Sequence, residues 1–335
     1  MGFPIKNYNT FGLDYRAENI EIATTEAEAL AIARELQSGS KKFLVVGGGS
    51  NLLFVSDFDG TILLPEIEGI AVEEDKGKSV IVSAGAGVVW DDFVEWCVGN
   101  GLSGVENLSL IPGKVGATPV QNIGAYGAEA ADTIVKVRGI LTATGEIREF
   151  SNSECCFGYR ESVFKKELRN RFIVTKVFFR LSREHRFRLD YGFLEAETAA
   201  IGDINLRNIR QAVINIRSRK LPDPKVTGNA GSFFKNPVVT AEKAGSLKFN
   251  NPLMPVYDEP SGGKKIAAGW LIEQCGWKGK SHGNAGVHDK QALVIVNRGG
   301  ATGREIYELS EMIRQSVMDK FGIALEREVE VIGSI

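Results

Sequence analysis

The chain has 335 residues, long enough for two or three domains, and its 43% hydrophobic and 24% charged residues are ordinary for a globular protein. A formal net charge of -2 argues against nucleic acid as the main partner, because phosphate-binding surfaces usually make a domain basic. The sequence has no apolar run as long as a membrane span, and its N-terminus lacks the apolar segment of a signal peptide. Four cysteines without metal or redox spacing favour a reduced, cytoplasmic, metal-free protein with no membrane partner.

The predicted elements form a small α/β unit that ends near residue 66, followed by a larger α+β unit over residues 68–182. The predicted helices span residues 24–37, 90–99, 208–221, 267–276 and a segment that begins at 302. The predicted strands span residues 42–47, 61–64, 80–85, 133–141, 146–150, 172–181, 292–297 and 323–333. We expect the fourth and fifth of these strands to pair as a hairpin.

Two of the predicted helices carry capping signals at their N-termini. Thr25 and Glu28 have capping-box spacing, and so do Thr302 and Glu305. Gly39 follows the first helix, as expected for a helix C-terminus.

Residues 101–129, GLSGVENLSLIPGKVGATPVQNIGAYGAE, are rich in glycine and carry little charge. Glycine and proline both interrupt helices, so this segment is not a continuous helix. It is too apolar for a solvated linker, and its hydrophobic residues follow neither a helix period nor a strand period. Long irregular segments of this kind usually wrap a ligand with their backbone N–H groups, so we expect this one to bind a ligand.

A second glycine turn, GGGSNLL at 47–53, follows a buried strand. It is not a dinucleotide-binding fingerprint, because it lacks G-x-G-x-x-G and the following FVSDFDGTILL does not open a helix. Together with PGKVG at 112–116 and QNIGAYG at 121–127, it can surround a pyrophosphate with backbone donors alone.

The stretch VSDFDGTILL at 55–64 resembles the nucleophile loop of haloacid-dehalogenase-type phosphatases. In that alternative Asp57 would be phosphorylated and Asp59 would act as a general acid. GDINLRN at 202–208 is a poor candidate for the acidic Mg²⁺ ligands that such an enzyme also needs. A turn between two strands at residues 57–60 is therefore the preferred interpretation.

The residue pattern alone gives few other candidate side chains a clear role. Arg160, among aromatic neighbours, is expected to be partly buried and to need an acidic or anionic partner. Ser232 has no nucleophile-elbow context, and serines in such positions commonly bond the local backbone. By alternation Glu328 is one of three solvated charges, with Glu326 and Glu330.

Taken together, eight segments resemble the UDP-N-acetylenolpyruvoylglucosamine reductases, the MurB family, over nearly the whole chain. The segments are NTF at 9–11, GGGSNLL at 47–53, IPGKVGATPVQNIGAYG at 111–127, GYRESVFK at 158–165, RKLPDPKVTGNAGSFFKNP at 219–237, AAGWLIEQCGWKG at 267–279, VHDKQALVIVN at 287–297 and LEREVEVIG at 325–333. DYG at 190–192, inside an extended insert, is similar to the type I branch, in which a tyrosine loop covers the substrate.

The resemblance implies an α+β fold of three domains. Residues 1–66 and 67–206 would form an FAD-binding fold of the vanillyl-alcohol-oxidase type, also called PCMH-type. Residues 207–322 would form an α/β domain that binds the substrate, and the strand at 323–335 would return to the first domain.

The resemblance also implies a reaction. NADPH would reduce FAD, and the enolpyruvyl ether of the UDP-sugar would then be reduced to the lactyl ether of UDP-N-acetylmuramate, a peptidoglycan precursor. A related FAD-dependent alcohol or sugar oxidase is an alternative enzyme class. A monomer is expected, with the UDP-sugar as small-molecule partner.

The same resemblance assigns catalytic roles to three residues. Arg160 would stabilise the enolate that hydride addition produces, Ser232 would give a proton to its alpha carbon, and Glu328 would polarise the intermediate. The implied substrate-binding residues are Tyr159, Tyr191, Lys220, Asn236 and Gln291. The implied FAD-binding residues are Gly47, Gly48, Gly49, Ser50, Asn51, Leu52, Pro112, Gly113, Val115, Gly116, Thr118, Pro119, Gln121, Asn122, Gly124, Ala125, Tyr126 and Gly127.

Overall fold

The structure, a computed structural model, describes residues 2–38, 42–259 and 262–335. The helices in these ranges are α1 Glu26–Ser38, α2 Trp90–Gly99, α3 Leu194–Ile201, α4 Leu206–Lys220, α5 Ala241–Asn250, α6 Ala268–Gln274 and α7 Gly303–Phe321. The strands are β1 Phe3–Pro4, β2 Arg16–Ala23, β3 Phe43–Val45, β4 Leu52–Phe54, β5 Phe58–Pro65, β6 Ile70–Asp75, β7 Ser79–Gly85, β8 Gly124–Ala125, β9 Ala128–Glu129, β10 Ile134–Leu141, β11 Ile147–Ser151, β12 Phe172–Ser182, β13 Asn229–Ser232, β14 Val238–Val239, β15 Val256–Asp258, β16 Lys264–Ile266, β17 Ser281–His282, β18 Ala285–Val287, β19 Val294–Asn297 and β20 Glu330–Ile332.

The chain divides into two compact units. Unit 1 takes the described residues of Met1–Phe3, Ala17–Gly49 and Asp59–Ser218. Unit 2 takes those of Pro4–Arg16, Ser50–Phe58 and Arg219–Ile335. The division into three domains at residues 66 and 206 stays a prediction. None of the helices in the described ranges has the length and apolar character needed to cross a bilayer.

Unit 1 is built on an antiparallel sheet with the strand order β11-β10-β12-β7-β6. The predicted hairpin is confirmed, since β10 pairs with β11 and places Val137 opposite Phe150. The long strand β12 lies between β10 and β7 and pairs with both.

Helix α2 packs on this sheet through the apolar face that its sequence predicts. Trp90, Phe93, Val94 and Cys97 are all buried. The Phe93 ring lies 4.7 Å from that of Phe179 on β12, measured between ring centroids. Burial of this aromatic cluster fixes α2 against the sheet, and the helix ends just before the glycine-rich segment.

The second sheet of unit 1 has the order β1-β2-β5-β3, with β3 and β5 parallel. Helix α1 has the predicted cap, because the Glu28 N–H donates to Thr25 Oγ1 at 3.1 Å. Gly39, expected after this helix, lies outside the described residues. The predicted turn at 57–60 is wrong, since Asp59 and Gly60 belong to β5.

Unit 2 contains an antiparallel sheet of order β13-β19-β18-β17, a smaller sheet of order β14-β16-β15 and a parallel pair of β4 with β20. Helix α7 has the predicted capping box, in which the Glu305 N–H donates to Thr302 Oγ1 at 3.2 Å. It ends at Gly322, whose φ of +60° is a typical left-handed helix C-cap.

The strand predicted over 323–333 is largely wrong, because only β20 forms a ladder there. Residues 328 and 329 form a bend, and Arg327 makes an isolated antiparallel bridge with Phe234. The Arg327 side chain turns to α7, where its Nε donates to Ser310 Oγ at 3.0 Å. A local change of partner therefore interrupts the alternation on which the prediction depended.

Candidate active site

In unit 1 the two glycine segments meet main chain to main chain. A Cβ placed on Gly48 would lie 2.8 Å from the Cα of Gly113, and one on Gly47 would lie 3.3 Å from the Cβ of Ala117. A Cβ placed on Gly116 would lie 2.6 Å from the Cβ of Ala86. Side chains at these positions would push the segments apart, so glycine is required by the close approach itself.

The cradle formed by these segments offers hydrogen-bond donors. Among the residues that the structure describes, the backbone N–H groups of Gly47, Gly48 and Gly113 have no acceptor. The rear of the second segment is fixed, since the Trp90 N–H donates to the Gly113 carbonyl at 3.0 Å and the Gly116 N–H to the Ala86 carbonyl at 3.0 Å. Adjacent N–H groups on a rigid turn suit the diphosphate of a dinucleotide such as FAD.

Residues 121–127 are held from inside by Asn122, which is 1% exposed. Its Nδ2 donates to Glu129 Oε2 at 2.7 Å and to the Gly158 carbonyl at 3.1 Å, and its Oδ1 accepts from the Ala131 N–H at 2.9 Å. The backbone φ of Asn122 is +44°, and asparagine tolerates this left-handed conformation better than most residues.

Arg160 lies against this same segment. Its Nη2 donates to the Gly124 carbonyl at 2.6 Å and its Nη1 to the Asn122 carbonyl at 3.3 Å. The guanidinium also lies over the Tyr159 ring, 5.3 Å from its centroid. The expectation of a partly buried arginine is confirmed, and the described bonds attach it to the loop at 121–127.

Tyr191 reaches the same loop from the insert before α3. Its ring lies edge-on to that of Tyr126, with centroids 6.1 Å apart, and the residue is 49% exposed. Asn107 joins the insert to the loop, because its Nδ2 donates to the carbonyls of Tyr126 and Arg188, each at 2.8 Å. Unit 1 thus brings Tyr159, Arg160 and Tyr191 to the predicted cofactor segment.

In unit 2 the main chain brings Ser232 and Glu328 close. Ser232 ends β13 at an irregularity that follows Gly231, whose φ is +67°. The next residue, Phe233, accepts the Glu328 N–H at 2.9 Å. Glu328 is partly buried, unlike Glu326, so the prediction of three equally solvated charges is wrong.

Asn51, from the end of the first glycine turn, also belongs to unit 2 and contacts this segment. Its Nδ2 donates to the Glu328 carbonyl at 3.1 Å, and its own carbonyl accepts the Glu330 N–H at 3.0 Å. A residue predicted to bind the cofactor therefore also fixes the backbone of a predicted catalytic residue.

Two further candidates meet at the start of α6. Asn236 Oδ1 accepts the Ala268 N–H at 2.9 Å, and a Cβ on Gly269 would lie 3.0 Å from Gln291 Oε1. Lys220 is the exposed last residue of α4, and within the described residues its side chain forms no hydrogen bond or ion pair. The structure groups the two amides and leaves Lys220 without a described contact to either.

A charged cluster around Leu110, just before the glycine segment at 112–116, was not predicted from the sequence. Asp91 of α2 forms a two-point ion pair with Arg210 of α4, at 2.6 and 3.0 Å. Arg217, also on α4, donates from Nε to the Leu110 carbonyl at 3.2 Å. The spacing of seven residues places Arg210 and Arg217 on one helix face, and this was the available signal.

Two family models match the chain. An FAD binding domain matches residues 17–151, and the C-terminal domain of UDP-N-acetylenolpyruvoylglucosamine reductase matches residues 223–332. Together with the glycine cradle, the first match defines the chain as an FAD-dependent flavoprotein of α+β fold.

Full-length relatives make the assignment specific. The UDP-N-acetylenolpyruvoylglucosamine reductase of Bacteroides fragilis is 47% identical over 332 residues, covering 98% of this chain and 99% of that protein. That of Paraburkholderia phytofirmans is 45% identical over 331 residues, covering 98% and 96%. The crystal structure of the Thermus caldophilus enzyme superposes with a TM-score of 0.67 at 25% identity, over 99% of this chain and 98% of that one.

The chain belongs to the UDP-N-acetylenolpyruvoylglucosamine reductase family. It is accordingly an FAD-dependent oxidoreductase of peptidoglycan synthesis, with NADPH as reductant. The resemblance drawn from the sequence motifs is confirmed, as are the α+β class and the FAD-binding fold. The oxidase and phosphatase alternatives are dropped.

Proposed function

We propose that the chain reduces the enolpyruvyl ether of UDP-N-acetylenolpyruvoylglucosamine to the lactyl ether of UDP-N-acetylmuramate, with Arg160, Ser232 and Glu328 as its catalytic residues. The observation that carries this proposal is the attachment of Arg160 to the cofactor loop, through the carbonyls of Asn122 and Gly124. If residues 121–127 bind FAD as proposed, a cation fixed to their main chain would act on charge that develops next to the flavin.

The cofactor would be held mainly by backbone. The N–H groups of Gly47, Gly48 and Gly113 would bind the FAD diphosphate, because their geometry leaves them available for an anion. The remaining residues proposed to line the cofactor are Gly49, Ser50, Asn51, Leu52, Pro112, Val115, Gly116, Thr118, Pro119, Gln121, Asn122, Gly124, Ala125, Tyr126 and Gly127. Bound FAD would supply the hydride chemistry that carries reducing equivalents from NADPH to the enolpyruvyl group of the substrate.

Each catalytic residue has one task. Arg160 stabilises the negative charge that hydride addition places on the alpha carbon and its carboxylate. The Ser232 hydroxyl then gives its proton to that carbon, and the Glu328 carboxylate polarises the intermediate and orders the proton path. In support, the Phe233–Glu328 main-chain bond fixes the backbones on which the last two side chains stand.

The side chains proposed to bind the sugar nucleotide include Tyr159 and Tyr191, and the Tyr191 ring lies edge-on to that of Tyr126. Asn236 and Gln291, which each lie at the start of α6, would hold the nucleotide by their amides. Lys220 would offset the charge of the diphosphate.

We also infer three coarse properties. Residues 1–66 and 67–206 would hold FAD, and residues 207–322 would bind the sugar nucleotide.

A cytoplasmic monomer is proposed, because NADPH and nucleotide sugars are cytoplasmic metabolites and the predicted site needs no second copy. Cell fractionation and light scattering after gel filtration test these two points, and a dimer at working concentration would contradict the second.

The residue assignment is tested by separating the two half-reactions in the variant Ser232→Ala. Flavin absorbance should bleach with NADPH at the wild-type rate, because the serine gives a proton only to the sugar substrate. Reoxidation by the enolpyruvyl substrate should slow by about 10²- to 10⁴-fold. Ser246→Ala, at an exposed position in α5, is the matched control and should leave both rates unchanged. Equal loss of both half-reactions in Ser232→Ala would mean that its assigned role is wrong.

A further inference from the structure

Leu110 has an unusual backbone conformation just before the glycine segment at 112–116. Its φ is +58°, in the left-handed region that leucine seldom adopts. It stands three residues before Gly113, the residue whose main chain meets Gly48. The direction in which the chain enters residues 112–116 therefore depends on a strained residue.

Both backbone polar groups of Leu110 are held by charged side chains. Its N–H donates to Asp91 Oδ1 at 2.5 Å, and its carbonyl accepts from Arg217 Nε at 3.2 Å. Arg210 fixes the carboxylate by donating to Asp91 Oδ1 at 2.6 Å and to Oδ2 at 3.0 Å. The side chains of Asp91 and Arg210 are 24% and 11% exposed, so water competes little for these bonds.

The electrostatics of the cluster agree with this geometry. Burial by itself raises the pKa of Asp91, but hydrogen bonds from Arg210 and from the Leu110 N–H, with the nearby positive charges, lower it overall. Burial lowers the pKa of Arg217, and Tyr126 and Asp91 act in the opposite direction.

We propose that Asp91, Arg210 and Arg217 form a clamp on Leu110 that positions residues 112–116 for FAD. The inference rests on the proposed function, in which Gly113 and its neighbours bind the FAD diphosphate. Without the clamp Leu110 would relax to negative φ, and the N–H of Gly113 would turn away from its place beside Gly48. These three residues are positioning residues, and their effect on the reaction is through cofactor binding.

The clamp predicts that a second substitution, at Leu110, restores FAD binding to a weakened variant. A general loss of stability does not predict this. Asp91→Ala should weaken FAD binding by on the order of tenfold, because the strained backbone of Leu110 loses its support. Glycine adopts positive φ without strain, so adding Leu110→Gly should restore the affinity to within about threefold of that of the Leu110→Gly single variant. Glu95→Ala is the matched control, since Glu95 is an acid of the same helix that lies 4.0 Å from Arg210 and is 74% exposed.

The experiment measures the dissociation constant of FAD from the full chain by recovery of flavin fluorescence on dilution. The same titration includes Gly48→Ala as the test of the cradle. Weak binding in Asp91→Ala that Leu110→Gly restores supports the clamp. Wild-type affinity in Asp91→Ala, or a loss that Leu110→Gly does not restore, overturns it.

Failure of the clamp can be told from failure of the cradle. If Gly48→Ala loses FAD while Asp91→Ala keeps it, the cradle stands and the clamp falls. If Gly48→Ala binds normally, the proposed diphosphate site itself is wrong. Where Asp91→Ala does not fold, Arg217→Gln with and without Leu110→Gly makes the same comparison from the carbonyl side.

Discussion

Arg160 in unit 1 and the residues Ser232 and Glu328 in unit 2 are held by different kinds of contact. Arg160 is attached through its side chain, which donates to the carbonyls of Asn122 and Gly124. Glu328 is attached to the strand that carries Ser232 through its main chain, by the bond from its N–H to the Phe233 carbonyl.

In unit 2 the backbone is held by main-chain bonds and the proposed chemistry belongs to side chains. In unit 1 a single side chain serves both purposes. In unit 2 a side chain can change while the main-chain bond remains. In unit 1 the guanidinium is both the proposed cation of the reaction and a support of the loop at 121–127, which is proposed to bind FAD. We therefore expect variants of Arg160 to alter FAD binding and turnover together, and variants of the Ser232 and Glu328 side chains to alter turnover alone.

After Ser232→Ala, the largest effect is expected from Arg160→Lys. Lysine keeps the charge but cannot place two planar donors on two carbonyls, so both functions of the residue should suffer. Turnover should fall by about 10²- to 10³-fold, as for loss of a preorganised charge stabiliser. The FAD dissociation constant should rise several-fold in the same protein.

Steady-state kinetics and FAD titration of this variant test the comparison directly. Arg171→Lys, at an exposed position later in unit 1, is the control and should change neither quantity. If turnover falls in Arg160→Lys while FAD affinity stays normal, the guanidinium does not support the loop and the contrast between the units disappears.

Gly48→Ala should have the next largest effect, and on cofactor binding first. The added Cβ would lie 2.8 Å from the Gly113 Cα, where neither main chain can give way without moving the cradle. Overpacking of this kind should weaken FAD binding by about tenfold to a hundredfold.

The flavin content of the purified protein, read from its visible absorbance, measures this effect. Gly99→Ala is the control, because a Cβ at Gly99 would meet nothing within 4 Å. Equal flavin content in the two variants would show that the close approach of the glycine segments is not needed for FAD.

Much of the scaffold could be predicted because its signals are local. The capping box of Thr302 and Glu305 and the hairpin of β10 with β11 are both written in a few neighbouring residues. The glycine cradle was also predictable, since two apolar glycine segments imply a close backbone approach even before the partner atoms are known.

The remaining features depend on contacts between distant segments. Asp59 and Gly60 have turn composition, yet pairing within the sheet places them in β5. The partners described for Arg160 are main-chain carbonyls, which leave no mark in the residue pattern. The positive φ of Leu110 likewise has no sequence signal, because leucine is an ordinary residue in every other respect.

A smaller and purely chemical effect is expected from Glu328→Gln. Glutamine keeps the shape but loses the charge, so turnover should fall by about tenfold or more. FAD affinity should stay at the wild-type value, because the bonds that join Glu328 to Phe233 and Asn51 are made by its main chain and do not depend on the carboxylate.

Glu326→Gln is the control for this variant. Its side chain is 70% exposed, and the glutamine amide oxygen can still accept the bond from Lys235, so turnover should stay unchanged. A fall in FAD affinity of Glu328→Gln would contradict the separation of scaffold and chemistry in unit 2.

The smallest effect is expected from pH, acting on unit 1 through Asp91. The folded pKa of Asp91 is lower than its unfolded value, so the carboxylate stabilises the folded state. This contribution is complete above the unfolded pKa of about 4, and it is lost only as the pH falls through the lower folded value. FAD affinity should therefore show no titration from Asp91 between about pH 5 and 8. Titrating FAD binding of the wild type and of Asp91→Asn across this range checks the sign. A fall in wild-type affinity between pH 7 and 5 that is absent in Asp91→Asn would contradict it, because the carboxyl would then take up its proton far above its assigned range.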